Sequence, residues 1–122
     1  MPRVMHFGVS ADQPERAMAF YRDVFGLGME KWNGPFDYWL VMTGDPKTPG
    51  IDGGLARRDN PAATITNFIE VASIDEYLDR VSAHGGSVFQ AKQAIPGVGY
   101  IAVCRDTEGN LLGLMQNDTS TR

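Results

Sequence analysis

VMHFGVSADQPERAMAFYRDVFG, residues 4–26, reads as one short strand feeding one helix. Val4, Met5, Phe7 and Val9 make a β-type run. Ala17, Phe20, Tyr21, Val24 and Phe25 then recur at helical spacing and draw a single apolar stripe. Pro14 suits the first helical turn, where its missing N–H is not needed. Asp12 and Glu15 stand at capping-box spacing, and Gly26 is a stop signal.

This unit has an echo. ATITNFIEVASIDEYLDRVSAHGG, residues 63–86, again places a strand (Ile65, Ile69, Val71) before an amphipathic helix (Ile74, Leu78, Val81, with Tyr77 beside them). Ser73 and Glu76 form an S-x-x-E box at its start, and Gly85 and Gly86 close it. The offset is about 60 residues, half the chain, an internal repeat of the kind that decides a fold. Three strand candidates follow each helix: GMEKW, DYWLVMTG and GGLARR, then SVFQ, GVGYIAVCR and LLGLMQ. NGPF (33–36), DPKTPG (45–50), IPGVG (95–99) and DTEGN (106–110) are the turns between them. The pattern is βαβββ twice, in a single domain over 1–122. Module one covers about 3–58 and module two about 64–117, joined through RRDNPAAT. The fold class this predicts is α+β, two βαβββ modules whose curled mixed sheets surround a cavity.

Composition narrows the function. The chain has 122 residues, 43% of them apolar, and a net charge of −4. The Lys and Arg are scattered, so no basic footprint for nucleic acid exists. One cysteine, Cys104, excludes a disulfide framework and reads as a buried thiol. No window approaches a membrane span, and the N-terminal stretch lacks the apolar run of a signal peptide. The expected location is cytoplasmic. The tail NDTSTR reads as frayed.

The twin βαβββ units, with HFGVSADQPERAMAFYRDVFGL, GGL at 53–55 and GVGYIAVCRDTEGNLLGLMQ at 97–116, resemble the vicinal oxygen chelate superfamily. That group includes glyoxalase, the bleomycin resistance proteins and the extradiol dioxygenases. The resemblance implies a metal held between the modules by inward strand residues, and frequent homodimers. Its ligand positions fall on His6, near Gly53, on Thr66 and on Gly113. Only His6 of these could bind a metal, and a catalytic zinc site needs about three protein ligands. The expectation is no metal and no cofactor.

Strand alternation gives a cavity lining. If His6 points in, so do Gly8 and Ser10, while Phe7 and Val9 meet the helices. Thr66, Phe68 and Glu70 then point in, as do Leu111, Gly113 and Met115. Tyr38, Leu40 and Met42 are assigned inward with Trp39 opposite, and Tyr100, Ala102 and Cys104 inward as well. The candidate ligand-binding residues are Tyr38, Phe68, Tyr100 and Met115. His6 and Glu70 are the candidate acid–base pair. Trp32, Phe36, Tyr38 and Trp39 could stack on a planar ligand or serve as core and dimer contacts. Arg57 and Arg58 are either an anion grip or a solvated pair at a strand end. His84 ends the second helix as a cap.

Two functions compete. One is a binding protein that takes a small organic molecule without metal. The other is a lyase, isomerase or dioxygenase on the same scaffold, with a rebuilt metal site or a His6/Glu70 pair, so whether the chain is an enzyme stays open. The expected partners are a small-molecule ligand and a second copy in a homodimer, with no nucleic acid and no membrane. A protein whose main business is pairing with other proteins, and a ferredoxin-like dimeric barrel as the fold, are the remaining alternatives.

Overall fold

The structure is a computed structural model that describes residues 2–122. Ten elements follow in the order expected: β1 (Arg3–Ala11), α1 (Pro14–Phe25), β2 (Gly28–Lys31), β3 (Trp39–Met42), β4 (Gly53–Arg57), β5 (Ile65–Glu70), α2 (Ile74–Ala83), β6 (Ser87–Ile95), β7 (Gly99–Arg105) and β8 (Leu111–Asn117). The class is α+β, with two βαβββ modules and curled mixed strand layers. Two compact units form, His6–Thr66 and Asn67–Arg122, the latter together with the N-terminal residues up to Met5.

In the first unit the strands lie in the order β2-β3-β4-β1. β1 and β4 run parallel, with Gly8 beside Gly54 and Val9 beside Leu55. β2–β3 and β3–β4 are antiparallel. Helix α1 lies on one face. Ala11, Val41 and Leu55 are buried there, packed with Phe7, Val9, Met29 and Trp39 from the strands and Ala17 and Met18 from the helix. Leu55 is fully buried, and complete burial of such a side chain stabilises by about 1.5–3 kcal/mol. Gly26 ends α1 at φ 72°, a left-handed conformation that glycine takes without a Cβ penalty.

The second unit repeats the plan in the order β5-β8-β7-β6. β5 and β8 are parallel, with Phe68 beside Gly113 and Glu70 beside Met115. Its core joins Val71, Ala102, Cys104 and Leu114 to Ile74, Tyr77, Leu78 and Val81 of α2. Cys104 is buried as expected, and burial raises its thiol pKa.

Three local expectations need correction. The Asp12–Glu15 box does not form: Gln13 is the N-cap of α1 and its side chain makes no capping bond. Asp12 is instead drawn to Arg58 at 3.0 Å, because the parallel β1–β4 register sets Arg57 beside Ala11 and so brings the next guanidinium within reach. The tail is not frayed. Asp118 N–H donates to Val98, Gly97 N–H donates to the Thr121 carbonyl, and Thr121 is buried. Tyr100, Ala102 and Cys104 face helix α2 rather than away from it. Their partners across the ladder, Gln116, Leu114 and Leu112, set that side. The second box is real: Ser73 Oγ accepts from Glu76 N–H at 3.2 Å. Among the described residues no helix is long and apolar enough to cross a membrane.

Candidate functional site

In each unit one strand face meets the helix and the other, the far face, does not. Because Phe7, Val9 and Ala11 belong to the helix side, alternation turns His6, Gly8 and Ser10 to the far face. Trp39 and Val41 likewise occupy the helix side, which leaves Tyr38, Leu40 and Met42 on the far one.

Here the structure makes a contact that the sequence did not name. His6 Nε2 lies 2.7 Å from the Tyr38 hydroxyl, with the rings nearly parallel at 6.4 Å. The tautomer of His6 sets which group donates. Burial lowers the His6 pKa, and the carboxylate of Asp52 partly opposes that by raising it. Burial also pushes the Tyr38 phenol up to about 12. Both groups are therefore neutral near pH 7, a donor–acceptor pair in a half-buried setting.

Two glycines make this possible. A Cβ on Gly54 would fall 1.6 Å from the Tyr38 hydroxyl oxygen and 1.9 Å from Cζ, so the phenol occupies the volume that glycine vacates. Its ladder neighbour Gly8 adds no side chain there either. Gly54, not Gly53, is thus the β4 position on the His6 side. Gly53 shares a face with Leu55, and a Cβ on it would strike Phe7 at 2.5 Å. The register differs by one residue from the reading in sequence, and one residue reverses the face.

The loop joining β2 to β3 supplies the rest. Trp32 N–H donates to the Tyr38 carbonyl at 2.8 Å, which closes the loop at its base. Within it Trp32 meets Phe36 at 4.9 Å and Tyr38 at 6.0 Å, and Phe36 meets Tyr38 at 6.5 Å. Trp39 is on the other face, under the ammonium of Lys31. Sequence proximity had grouped all four rings; the pleat separates the fourth.

The other named residues fall in the second unit. Phe68 lies on Gly113, where a Cβ would meet its ring at 2.2 Å. Glu70 and Met115 are ladder partners on the face away from α2, the same face as Phe68. Tyr100 packs against the α2 core with Lys92 Nζ 4.4 Å from its ring centroid. Arg58 is engaged by Asp12 and by the carbonyls of Ala63 and Ser10, so it braces a turn. Two shallow concavities occur in the first unit, one along the 43–52 loop and one at Asp12 and residues 58–61. Both are polar loop features, and neither contains any of the six sequence-predicted residues.

Neither Gly54 nor Gly113 offers a metal a side-chain donor. The far-face glycines Gly54 and Gly113 are covered by the Tyr38 and Phe68 rings, which leaves no carboxylate where the resemblance places one. Among the described residues no group of three or more His, Cys, Asp or Glu side chains could hold a metal ion.

The sequence model of the Glyoxalase/Bleomycin resistance protein/Dioxygenase superfamily matches residues 3–114. No curated protein matches the chain in sequence. Among solved structures, methylmalonyl-CoA epimerase from Mycobacterium tuberculosis is similar at TM-score 0.66 and 15% identity, covering 94% of this chain and 87% of that one. A methylmalonyl-CoA epimerase in complex with methylmalonyl-CoA and NH4+ is similar at TM-score 0.67 and 15% identity, over 99% and 98% of the two chains. A superfamily member from Vibrio splendidus gives TM-score 0.62 and 17% identity, over 97% and 100%. At these identities the likeness is one of fold.

Proposed function

The chain belongs to the Glyoxalase/Bleomycin resistance protein/Dioxygenase superfamily, and on that premise we propose that it binds a small organic molecule on the far face of its first unit, without the metal its family resemblance implies. The observation that carries this reading is the His6–Tyr38 hydrogen bond at 2.7 Å, set beside the Trp32 and Phe36 rings. A neutral donor–acceptor pair orients a polar group of the ligand, and aromatic surface supplies contact area. Phe68 and Met115 are proposed as apolar surface on the far face of the second unit itself, and Tyr100 as a structural contact only. A cytoplasmic homodimer is part of the same proposal; a monomer mass that does not change with concentration would remove the dimer from it.

The test is a thermal-shift screen of small aromatic molecules, repeated on Tyr38→Phe and Trp32→Ala. One hydrogen bond contributes about 0.5–1.5 kcal/mol, so hits should weaken by about two- to tenfold in Tyr38→Phe. Hits that ignore both substitutions would refute the site.

A second reading, an acid–base enzyme, is favoured by the short approach of a neutral imidazole to a phenol. His6 would take a proton from the substrate, with Tyr38 as the second group. Neither group requires a metal for this. A His6→Ala protein that binds ligand normally yet loses turnover would support it, and unchanged turnover would sink it.

A further inference from the structure

The far face of the first unit carries a charge pattern that the His6–Tyr38 pair does not explain. Glu30 stands on it, opposite Leu40 in the β2–β3 ladder, since its neighbour Met29 packs into the core on the helix side. Asp52, at the entry to β4, is close enough for its charge to act on His6. Its carboxylate is held in place by Thr43, whose N–H donates to it at 2.9 Å while the Thr43 hydroxyl donates to the Ile51 carbonyl at 2.6 Å.

Among the described residues of the first unit, no strand position on this face is basic. Lys31 lies over Trp39 on the opposite face and pairs with Asp37 at 3.3 Å. Arg57 is level with Ala11 on the helix side, and Arg58 is bound to Asp12 and two carbonyls. Arg16 and Arg22 are on α1 and Lys47 is in the 43–52 loop. Among the described residues of the first unit, the face therefore combines three clustered aromatic rings, a neutral hydrogen-bonding pair and the carboxylates of Glu30 and Asp52. Phe36 presents 41% of its surface to solvent, so the ring cluster is reachable.

We propose that the ligand of this face is an organic cation, an aromatic ammonium whose ring packs on Trp32, Phe36 and Tyr38 and whose charged group lies toward the His6 end of Tyr38, where Asp52 is the counter-charge. The inference deepens, and rests on, the binding reading given above. Ring faces attract a cation through their quadrupole, and a carboxylate at the rim adds Coulomb attraction while repelling anions. An anionic ligand meets like charge from the first unit here.

The test uses three benzyl compounds of similar size: benzyltrimethylammonium, benzyl methyl sulfone and phenylmethanesulfonate. Each is titrated into isotope-labelled protein while the Trp32 indole and Tyr38 ring signals are followed by NMR. The ammonium should bind tightest and the sulfonate weakest. Asp52→Asn should weaken the ammonium by about two- to fivefold, the range of a solvent-exposed ion pair, and leave the sulfone unchanged. Glu30→Gln, at a solvent-exposed strand position, is the second variant and should act in the same direction with a smaller effect. Sulfone or sulfonate binding as tight as the ammonium, with Trp32 shifting, would overturn the charge preference while the binding face stands. Ammonium affinity unchanged in both variants would overturn it too. None of the three compounds moving Trp32 or Tyr38 would overturn the binding reading itself, and the cation with it.

Discussion

The two modules solve one packing problem in two ways. Each has a parallel strand pair with a glycine on the far face of its last strand, Gly54 in β4 and Gly113 in β8. In module two the ladder partner of that glycine is Phe68, whose own ring covers the bare backbone. In module one the partner is Gly8, which has nothing to cover with. The space is filled from the other side, by Tyr38, whose hydroxyl then reaches His6. The same void is closed with an apolar ring in one half and a hydrogen-bonding ring in the other. Module two gains packing. Module one gains a neutral polar pair beside the Trp32 and Phe36 rings.

The largest expected break in that comparison comes from adding a methyl group to each glycine. A Cβ at Gly113 meets the Phe68 ring along its edge, at Cδ1, Cε1 and Cγ, whereas a Cβ at Gly54 meets the tip of Tyr38. A ring blocked along its edge back to Cγ must change rotamer; one blocked at its tip can swing. Overpacking costs about 1–3 kcal/mol, and Gly113→Ala should lie at the upper end. Gly54→Ala should cost less stability but release the Tyr38 phenol. Its ionisation, held up to about 12 by burial, should move back toward 10, read as phenolate absorbance in an alkaline titration. Gly113→Ala should leave that titration unchanged. Identical titrations in the two variants would show that Gly54 does not position Tyr38.

This contrast also marks what was legible in sequence. The repeat was, because helix periodicity, glycine stops and turn residues are local signals, and all ten elements appear where those signals stand. The far-face assignment of His6, Tyr38, Phe68 and Met115 was legible too, since alternation needs only one anchored residue per strand. Tyr100 was assigned to the wrong side because nothing within β7 marks which face the helix covers; the ladder with β8 decides it. Gly53 was chosen over Gly54 for a related reason. Two adjacent glycines carry no side chain to reveal the pleat, and a 60-residue offset locates a strand but not its register. The His6–Tyr38 bond joins residues 32 apart and depends on a side chain being absent at Gly54, which no local pattern expresses.

A smaller break separates the helices. Ser73 caps α2 through its hydroxyl, while Gln13 heads α1 without a side-chain bond. Replacing a serine cap by alanine costs about 1 kcal/mol. Ser73→Ala should therefore lower the denaturant midpoint visibly, and Gln13→Ala should barely move it. Asp12→Ala removes only a largely exposed ion pair to Arg58, an effect of about 0.5 kcal/mol. If Asp12→Ala matched Ser73→Ala, Asp12 would be acting as the missing cap after all.

The smallest expected effect is one of pH, and it acts through His6 in module one. Its folded pKa lies below the ordinary 6.5 because burial disfavours the imidazolium. Between that lowered value and about 6.5 the unfolded chain holds the proton and the folded chain does not. Acid therefore favours the unfolded state across this window. The stabilising contribution is complete above about pH 6.5 and is lost as pH falls through the folded value. Denaturant midpoints measured from pH 8 to 5 should fall in the wild type, and the fall should shrink in His6→Gln, which cannot titrate. Asp52 sharpens the test, since its charge raises the His6 pKa. Asp52→Asn should lower the ring's NMR titration midpoint further and widen the window on its acid side. A midpoint unchanged in Asp52→Asn would remove the carboxylate from the neighbourhood of His6, and with it the counter-charge assigned to a cationic ligand.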